Sequence, residues 1–288
     1  MPETPEILRY SAFAATPDGG NPAGVVLDAS GLDDERMLRI AVEVGYSETA
    51  FLTRRSDVDG VRHVDVRYFS PGAEVPFCGH ATVAAAVALA ERDGAGTVVF
   101  DTAAGPVALE SVADAAGAIT VSFTSVEPQV RDIDQGVRDR LLELLGLTVA
   151  DIDPRRPVQE SFAGNWHPIV FVADRELFHQ FRFRPADVAA LMRARGWLGT
   201  VTVLHAHDDT DFEARNIFPV GRITEDPATG SAAASTGAYL REHDYAGETI
   251  CIRQGAHVGR PSELLVTIPE SGGIVVSGGA FPIARPGS

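Results

Sequence analysis

Two stretches decide the reading of this chain: CGHATVAAAVALAE at residues 78–91 and EDPATGSAAASTGAYLRE at residues 225–242. Each sets a glycine, Gly79 or Gly230, before a polar residue, His80 or Ser231, and then runs into alanines. Few charges fall in the first turns of either run, so each predicts a helix buried on every side rather than along one stripe. Alanine lets neighbouring strands approach such a helix closely. The flanking sequence is strand-like, which puts one central helix in each of two strand-built halves.

The longer segments RYFSPGAEVPFCGHATVAAA (67–86) and RNIFPVGRITEDPATGSAAAS (215–235) share Arg, Phe and Pro early, and Gly with an alanine run late. They read as an internal duplication. In this alignment Phe69 stands opposite Phe218, and the place of Cys78 is taken by Asp226.

Working outward, VRHVDVRYFS (61–70) alternates apolar and polar residues as a strand does, and DDERMLRIAVEVG (33–45) has helical spacing closed by Gly45. TVVFDTAAGPVALESV (97–112) and GAITVSFTSV (117–126) read as three short strands. In the second half, helices are expected over 136–147 and from Pro185 to Gly196. Strands are expected at PIVFVAD (168–174), TVTVLHAH (200–207), FEARNIFPV (212–220), TICIRQG (249–255), ELLVTIP (263–269) and GIVVSGGAFPIA (273–284). The apolar pattern breaks near 126–136. Strands and helices mix without regular βαβ alternation, so the expected class is α+β. The expected division is 1–126, completed by the C-terminal strand 274–288, and 127–273.

Composition narrows the function. The 288 residues carry a formal charge of −16 and no basic run, so nucleic acid and acidic membrane surfaces would be repelled. A small anion would need a local positive feature. The two cysteines, Cys78 and Cys251, make neither a disulfide framework nor a zinc spacing. No secretory leader or membrane-spanning run is seen, so a cytoplasmic location is expected.

The helix starts supply the positive feature. The first N–H groups of a helix have no partner within it and carry the positive end of its dipole, which makes a site for a carboxylate. Gly79 and Gly230 would let a ligand reach the backbone. His80 and Ser231 would aim polar atoms at it, although packing and capping roles are open to all four. Glu48, in the otherwise small and apolar YSETAFLT (46–53), is the best candidate base. Its charged form would be disfavoured near apolar walls, the condition in which one carboxyl group both takes and returns a proton. Facing water at a strand edge is the plain alternative. Asp226, before Pro227, suits a turn or a cap as well as chemistry. His205 and His207 lie two apart before DDTD, a pattern that fits a solvated surface better than an ion site.

GNPAGVV (20–26), GYSETAFL (45–52), FCGHATVAAA (77–86), EDPATGSAA (225–233) and RQGAHVGRPSELLV (253–266) together resemble the PhzF-like isomerases of phenazine biosynthesis. They occur in that family's order across nearly the whole chain, and EDPATGSA is the most specific of them. The resemblance implies a diaminopimelate epimerase-like fold: two similar halves, each an open barrel of strands around a central helix, with the active site in the cleft between them. It implies Glu48 as the acid/base, Asp226 as an assisting group that contacts substrate, and His80 in the pocket. Gly79, Gly230, Ser231, Cys78 and Asn21 would bind a small carboxylate-bearing substrate. It further implies no metal, no organic cofactor and a homodimer. The related fold includes racemases with two thiols, an arrangement absent here, so a one-thiol epimerase using Cys78 is the second reading. A carboxylate-binding protein without turnover is the third.

Overall fold

The computed structural model describes residues 5–221, 223–245 and 247–284, and the contacts of its chain sort into two units. One takes the described residues up to Thr124 and those from Ser277; the other is Ser125–Val276. Residues 1–4 and 285–288, assigned above to the N-terminal half, lie outside the described residues. The first unit runs through β1 (Leu8–Ala12), β2 (Asn21–Val26), α1 (Asp34–Val44), β3 (Glu48–Val58), β4 (Val61–Phe69) and β5 (Glu74–Val75). It continues with α2 (Gly79–Asp93), β6 (Gly96–Thr102), β7 (Gly105–Ala113) and β8 (Ile119–Thr124). The second holds β9 (Gln129–Asp132), α3 (Gln135–Leu144), β10 (Gln159–Phe162), β11 (Trp166–Phe171), α4 (Arg175–Gln180) and α5 (Pro185–Arg195). Then come β12 (Val201–Ala206), β13 (Asp211–Ile217), β14 (Glu225–Asp226), α6 (Gly230–Arg241), β15 (Thr249–Gln254) and β16 (Ser262–Thr267). Finally β17 (Val275–Pro282) returns the chain to the first unit.

Pairing in the first unit closes into a ring of eight strands, in the order β1, β2, β3, β4, β6, β7, β8, β17 and back to β1. Helix α2 touches β1, β2, β3, β7 and β8, and every residue from His80 to Ala90 is buried, so it runs inside the ring. One buried phenol fixes the first turn: Tyr68 on β4 lies 2.6 Å from Thr82 Oγ1, and Thr82 in turn donates to the Cys78 carbonyl at 2.8 Å. Burial pushes the Tyr68 pKa up, so it stays a protonated donor. Helix α1 is different. It buries one stripe, Met37, Ile40, Ala41 and Val44, against Val26, Phe51 and Phe69, and it ends at Gly45 in the left-handed region, as its sequence predicts.

The second unit repeats the plan. In the first, β2 is parallel to β3, β4 returns antiparallel, β5 pairs briefly with β4, and α2 leads to β6, parallel to β4. In the second, β11 is parallel to β12, β13 returns, β14 pairs briefly with β13, and α6 leads to β15, parallel to β13. Helix α6 touches β9, β10, β11 and β16 and is buried over most of its length. A second core lies beside the sheet, where Leu141, Leu142, Val188, Met192 and Trp197 cover Val201, Val203 and Ile217.

Register corrects the alignment read from sequence. Phe69 pairs with Glu74 and Ile217 pairs with Glu225, and each helix begins at the same interval after its glutamate. Glu74-Val75-Pro76-Phe77-Cys78 therefore matches Glu225-Asp226-Pro227-Ala228-Thr229. The counterpart of Cys78 is Thr229 rather than Asp226, and that of Phe69 is Ile217 rather than Phe218. The length difference falls in the loop before the short strand, residues 70–73 against 218–224, where no hydrophobic pattern marks it. No helix among the described residues is long and apolar enough to cross a membrane.

Candidate active site

Helix ends are treated in two ways in this molecule. Asp33, Asp134 and Asp174 cap α1, α3 and α4, each accepting from a backbone N–H of its helix. The N-cap residues of α2 and α6, Cys78 and Thr229, give no side-chain cap, and neither does Arg184 before Pro185 at α5. A carboxylate cap satisfies a first-turn amide and opposes the helix dipole. Without one, the peptides that begin at Gly79 and Gly230 keep donors for a bound acid.

In the first unit the polar groups gather at the start of α2. Glu48 opens β3, where it pairs in register with Ala23 of β2. Its Oε2 lies 3.4 Å from His80 Nε2 and 3.5 Å from Cys78 Sγ. His80, 7 % exposed, also has Nδ1 3.4 Å from Cys78 Sγ and Nε2 3.3 Å from Ser47 Oγ. The His80 separations from Glu48 and Ser47 exceed the about 2.7–3.2 Å of a settled hydrogen bond between nitrogen and oxygen, while the two Cys78 contacts are of ordinary length for sulfur. Asn21 is buried at the start of β2, two residues before the register partner of Glu48. Ser47 was not singled out from the sequence; its place directly before Glu48 was the available signal.

In the second unit the turn before α6 is stapled from β15. Asp226 Oδ2 accepts from Thr229 Oγ1 at 2.5 Å. Gln254, 3 % exposed, donates to the Asp226 carbonyl at 2.6 Å and to Thr229 Oγ1 at 3.0 Å, and accepts from the Thr229 N–H at 3.2 Å. Gly255 follows with φ +81°, and a Cβ there would sit 2.2 Å from the Arg260 carbonyl oxygen and 2.6 Å from that of Pro227. Only glycine fits so close to two backbone oxygens, which gives the RQG triplet a physical reason. Glu225 is held by a buried bidentate pair with Arg215, 2.9 Å at its shortest. Gln254 and Arg215 were both missed from sequence, because long-range staples leave no local pattern.

Ser231 meets a group the sequence reading also missed. Its Oγ lies 3.1 Å from Nε2 of His167, a fully buried residue of β11. The His167 Nδ1 lies 3.0 Å from the Thr200 carbonyl, hydroxyl and N–H alike, so Thr200 surrounds one ring nitrogen and Ser231 meets the other. Burial pushes the His167 pKa down to about 4, against the opposing hydrogen bonding of Thr200. This predicts a pH effect. The folded ring stays neutral where the unfolded one, at about 6.5, is protonated. Stability is thus complete above pH 6.5 and falls as pH drops towards 4, by roughly 3 kcal/mol from this residue. Urea unfolding at pH 7.5 and 4.5 checks it. The wild-type loss should exceed that of His167→Gln by about 2–3 kcal/mol, and equal losses would remove the assignment.

Other residues weighed from the sequence go elsewhere. His205 Nδ1 lies 3.1 Å from the Val172 carbonyl, whereas His207 Nε2 lies 3.1 Å from Glu213. The two rings are engaged by different groups. Neither cysteine is in a disulfide. Burial pushes the Cys251 thiol up to about 11, so it is protonated at neutral pH, and it lies on β15 in the second unit.

The family described as phenazine biosynthesis-like protein matches residues 10–284. An uncharacterized isomerase of Bacillus subtilis, YfhB, is 32% identical over 94% of this chain and 92% of its own. The trans-2,3-dihydro-3-hydroxyanthranilate isomerase of Pseudomonas chlororaphis is 30% identical over 87% of this chain and 86% of its own. Among solved structures, the PhzF-family phenazine biosynthesis protein of Bacillus anthracis has a TM-score of 0.83 at 28% identity and covers 98% of both chains. This chain belongs to the phenazine biosynthesis-like protein family and is an isomerase.

Proposed function

We propose that the protein is a cofactor-independent isomerase that moves a proton between carbons of a small carboxylate-bearing metabolite, with Glu48 as acid and base. Glu48 takes a proton from a carbon acidified by a neighbouring carbonyl or double bond, and the electron pair moves into that system. The resulting carboxylic acid then returns the proton at another carbon, with Asp226 assisting. Each uncapped helix start is a carboxylate-binding end in this proposal: Gly79 with His80, Cys78 and Asn21 in the first unit, and Gly230 with the Ser231 hydroxyl in the second. The observation that carries this reading is the placement of Glu48 beside His80 and Cys78 at a buried helix start that has no side-chain cap, whereas α1, α3 and α4 are capped by aspartates.

The test is a panel of carboxylic acids incubated with the enzyme in heavy water and read by mass. An acid like the substrate named for the Pseudomonas chlororaphis relative heads the panel. Gain of one deuteron with wild type and its loss with Glu48→Gln are expected; undiminished gain in the variant would sink the role of Glu48. A second reading has its own observation, the Cys78 thiol 3.5 Å from Glu48 and 3.4 Å from His80. A thiol base at the α-carbon would instead leave exchange intact in Glu48→Gln and lose it in Cys78→Ser.

A further inference from the structure

We propose that Glu48, Cys78 and His80 form a three-ligand site for a thiophilic divalent cation of the zinc type, and that its occupancy withdraws the Glu48 carboxylate from proton transfer. One ligand atom of each residue lies within 4.8 Å of the other two. The edges are Sγ to Oε2 at 3.5 Å, Sγ to Nε2 at 3.8 Å and Nε2 to Oε2 at 3.4 Å. Zinc bonds of about 2.3 Å to sulfur and about 2.0–2.1 Å to nitrogen and oxygen, set at tetrahedral angles, give edges of about 3.5, 3.5 and 3.3 Å. The edges match to within a few tenths of an ångström, but Sγ lies nearer to Nδ1 (3.4 Å) than to Nε2 (3.8 Å), so the His80 ring must also turn to aim its Nε2 lone pair at the shared ion. Sequence spacing could not show this, because Glu48 comes from β3 and the other two from the start of α2.

Donor chemistry selects the metal class. A thiolate with an imidazole suits zinc and its neighbours, whereas magnesium and calcium prefer oxygen ligands. Three protein ligands leave the fourth tetrahedral position to water or to an incoming donor. Charge is balanced as well: one thiolate and one carboxylate neutralise a divalent ion, so the positive end of α2 faces a neutral centre. That same helix end favours the thiolate the metal requires. On binding, the S–H bond of Cys78 breaks, the sulfur pair bonds to the metal, a metal-bound water leaves, and the proton passes to buffer. Metal binding at the triad does not depend on the reaction proposed above; only its inhibitory consequence does.

The experiment uses the full chain, stripped with a chelator, and cobalt(II) as the optical stand-in for zinc. One equivalent should bind and give a near-ultraviolet thiolate-to-cobalt band, unchanged in Cys251→Ser and absent in Cys78→Ala. His80→Gln should weaken binding at least tenfold. Zinc should also protect Cys78 of the wild-type chain from iodoacetamide, read by peptide mass, which requires no variant to fold. Absence of the band together with absence of protection, or binding that survives unchanged in Cys78→Ala, overturns the site. If the site holds and Glu48 is the base, zinc stops deuterium gain and the chelator restores it. If metal binds but leaves exchange running, the site stands and the Glu48 reading falls.

Discussion

Glu48→Gln should lower the rate of deuterium gain by about 10²–10⁴-fold, the usual contribution of one positioned acid/base. The amide keeps the shape of the side chain and can still face His80, but it cannot take a proton from carbon. Folding should be nearly untouched. The nearest polar atoms of Glu48 lie at 3.4 and 3.5 Å, and 21 % of its side chain is exposed, so stability should move by no more than about 0.5 kcal/mol. This contrast of a large loss in rate with a flat unfolding curve separates chemistry from structure. Asp226→Asn is the matched control. Its carboxylate accepts from Thr229 in a tight turn, so part of its effect should appear as altered binding as well as lower turnover. A larger rate loss in Asp226→Asn than in Glu48→Gln would exchange the two roles.

The central helices were legible because burial on all sides demands small side chains, and no other feature of the chain explains two alanine runs. Helix α1 was legible for the opposite reason, a single apolar stripe between Asp33 and Gly45. What escaped was short or held at long range. Strand β9 lies in the stretch read as a break, since it is four residues long, mostly exposed, and pairs with the equally short β10. Helix α4, at six residues, is too brief for a periodic signal. The site was half legible. Glu48, His80 and Asp226 stood out by residue type, but His167, Gln254 and Arg215 meet partners 64, 28 and 10 residues away, which only pairing reveals. The misplacement of Asp226 opposite Cys78 has the same origin, because an alanine run aligns equally well at several offsets and only strand register fixes one.

Register also ties the stability of the second unit to its chemistry. Arg215 and Glu225 are 7 % and 6 % exposed, and the guanidinium meets the carboxylate at 2.9–3.3 Å while lying 4.0 Å from the Phe181 ring centre. Its other polar contacts are the Phe178 and Phe181 carbonyls at 3.4 and 3.3 Å, too long to replace the lost carboxylate. Glu225→Ala should therefore cost about 3–5 kcal/mol, since it leaves a buried cation uncompensated. The pair itself need not be stabilising. Burying both charges has already cost solvation, so Arg215→Met combined with Glu225→Leu should recover most of that loss. Urea midpoints of the three proteins check the order, and 0.5 M salt should barely change it, unlike exposed pairs such as Arg54–Asp65. The double variant is the informative one. It restores the core but removes the bidentate tether on β14 directly before Asp226, while the Gln254 contacts to that turn stay in place. Regained stability with slowed turnover would mean that the ion pair is there to position Asp226; regained stability with full turnover would assign that task to Gln254 and Gly255.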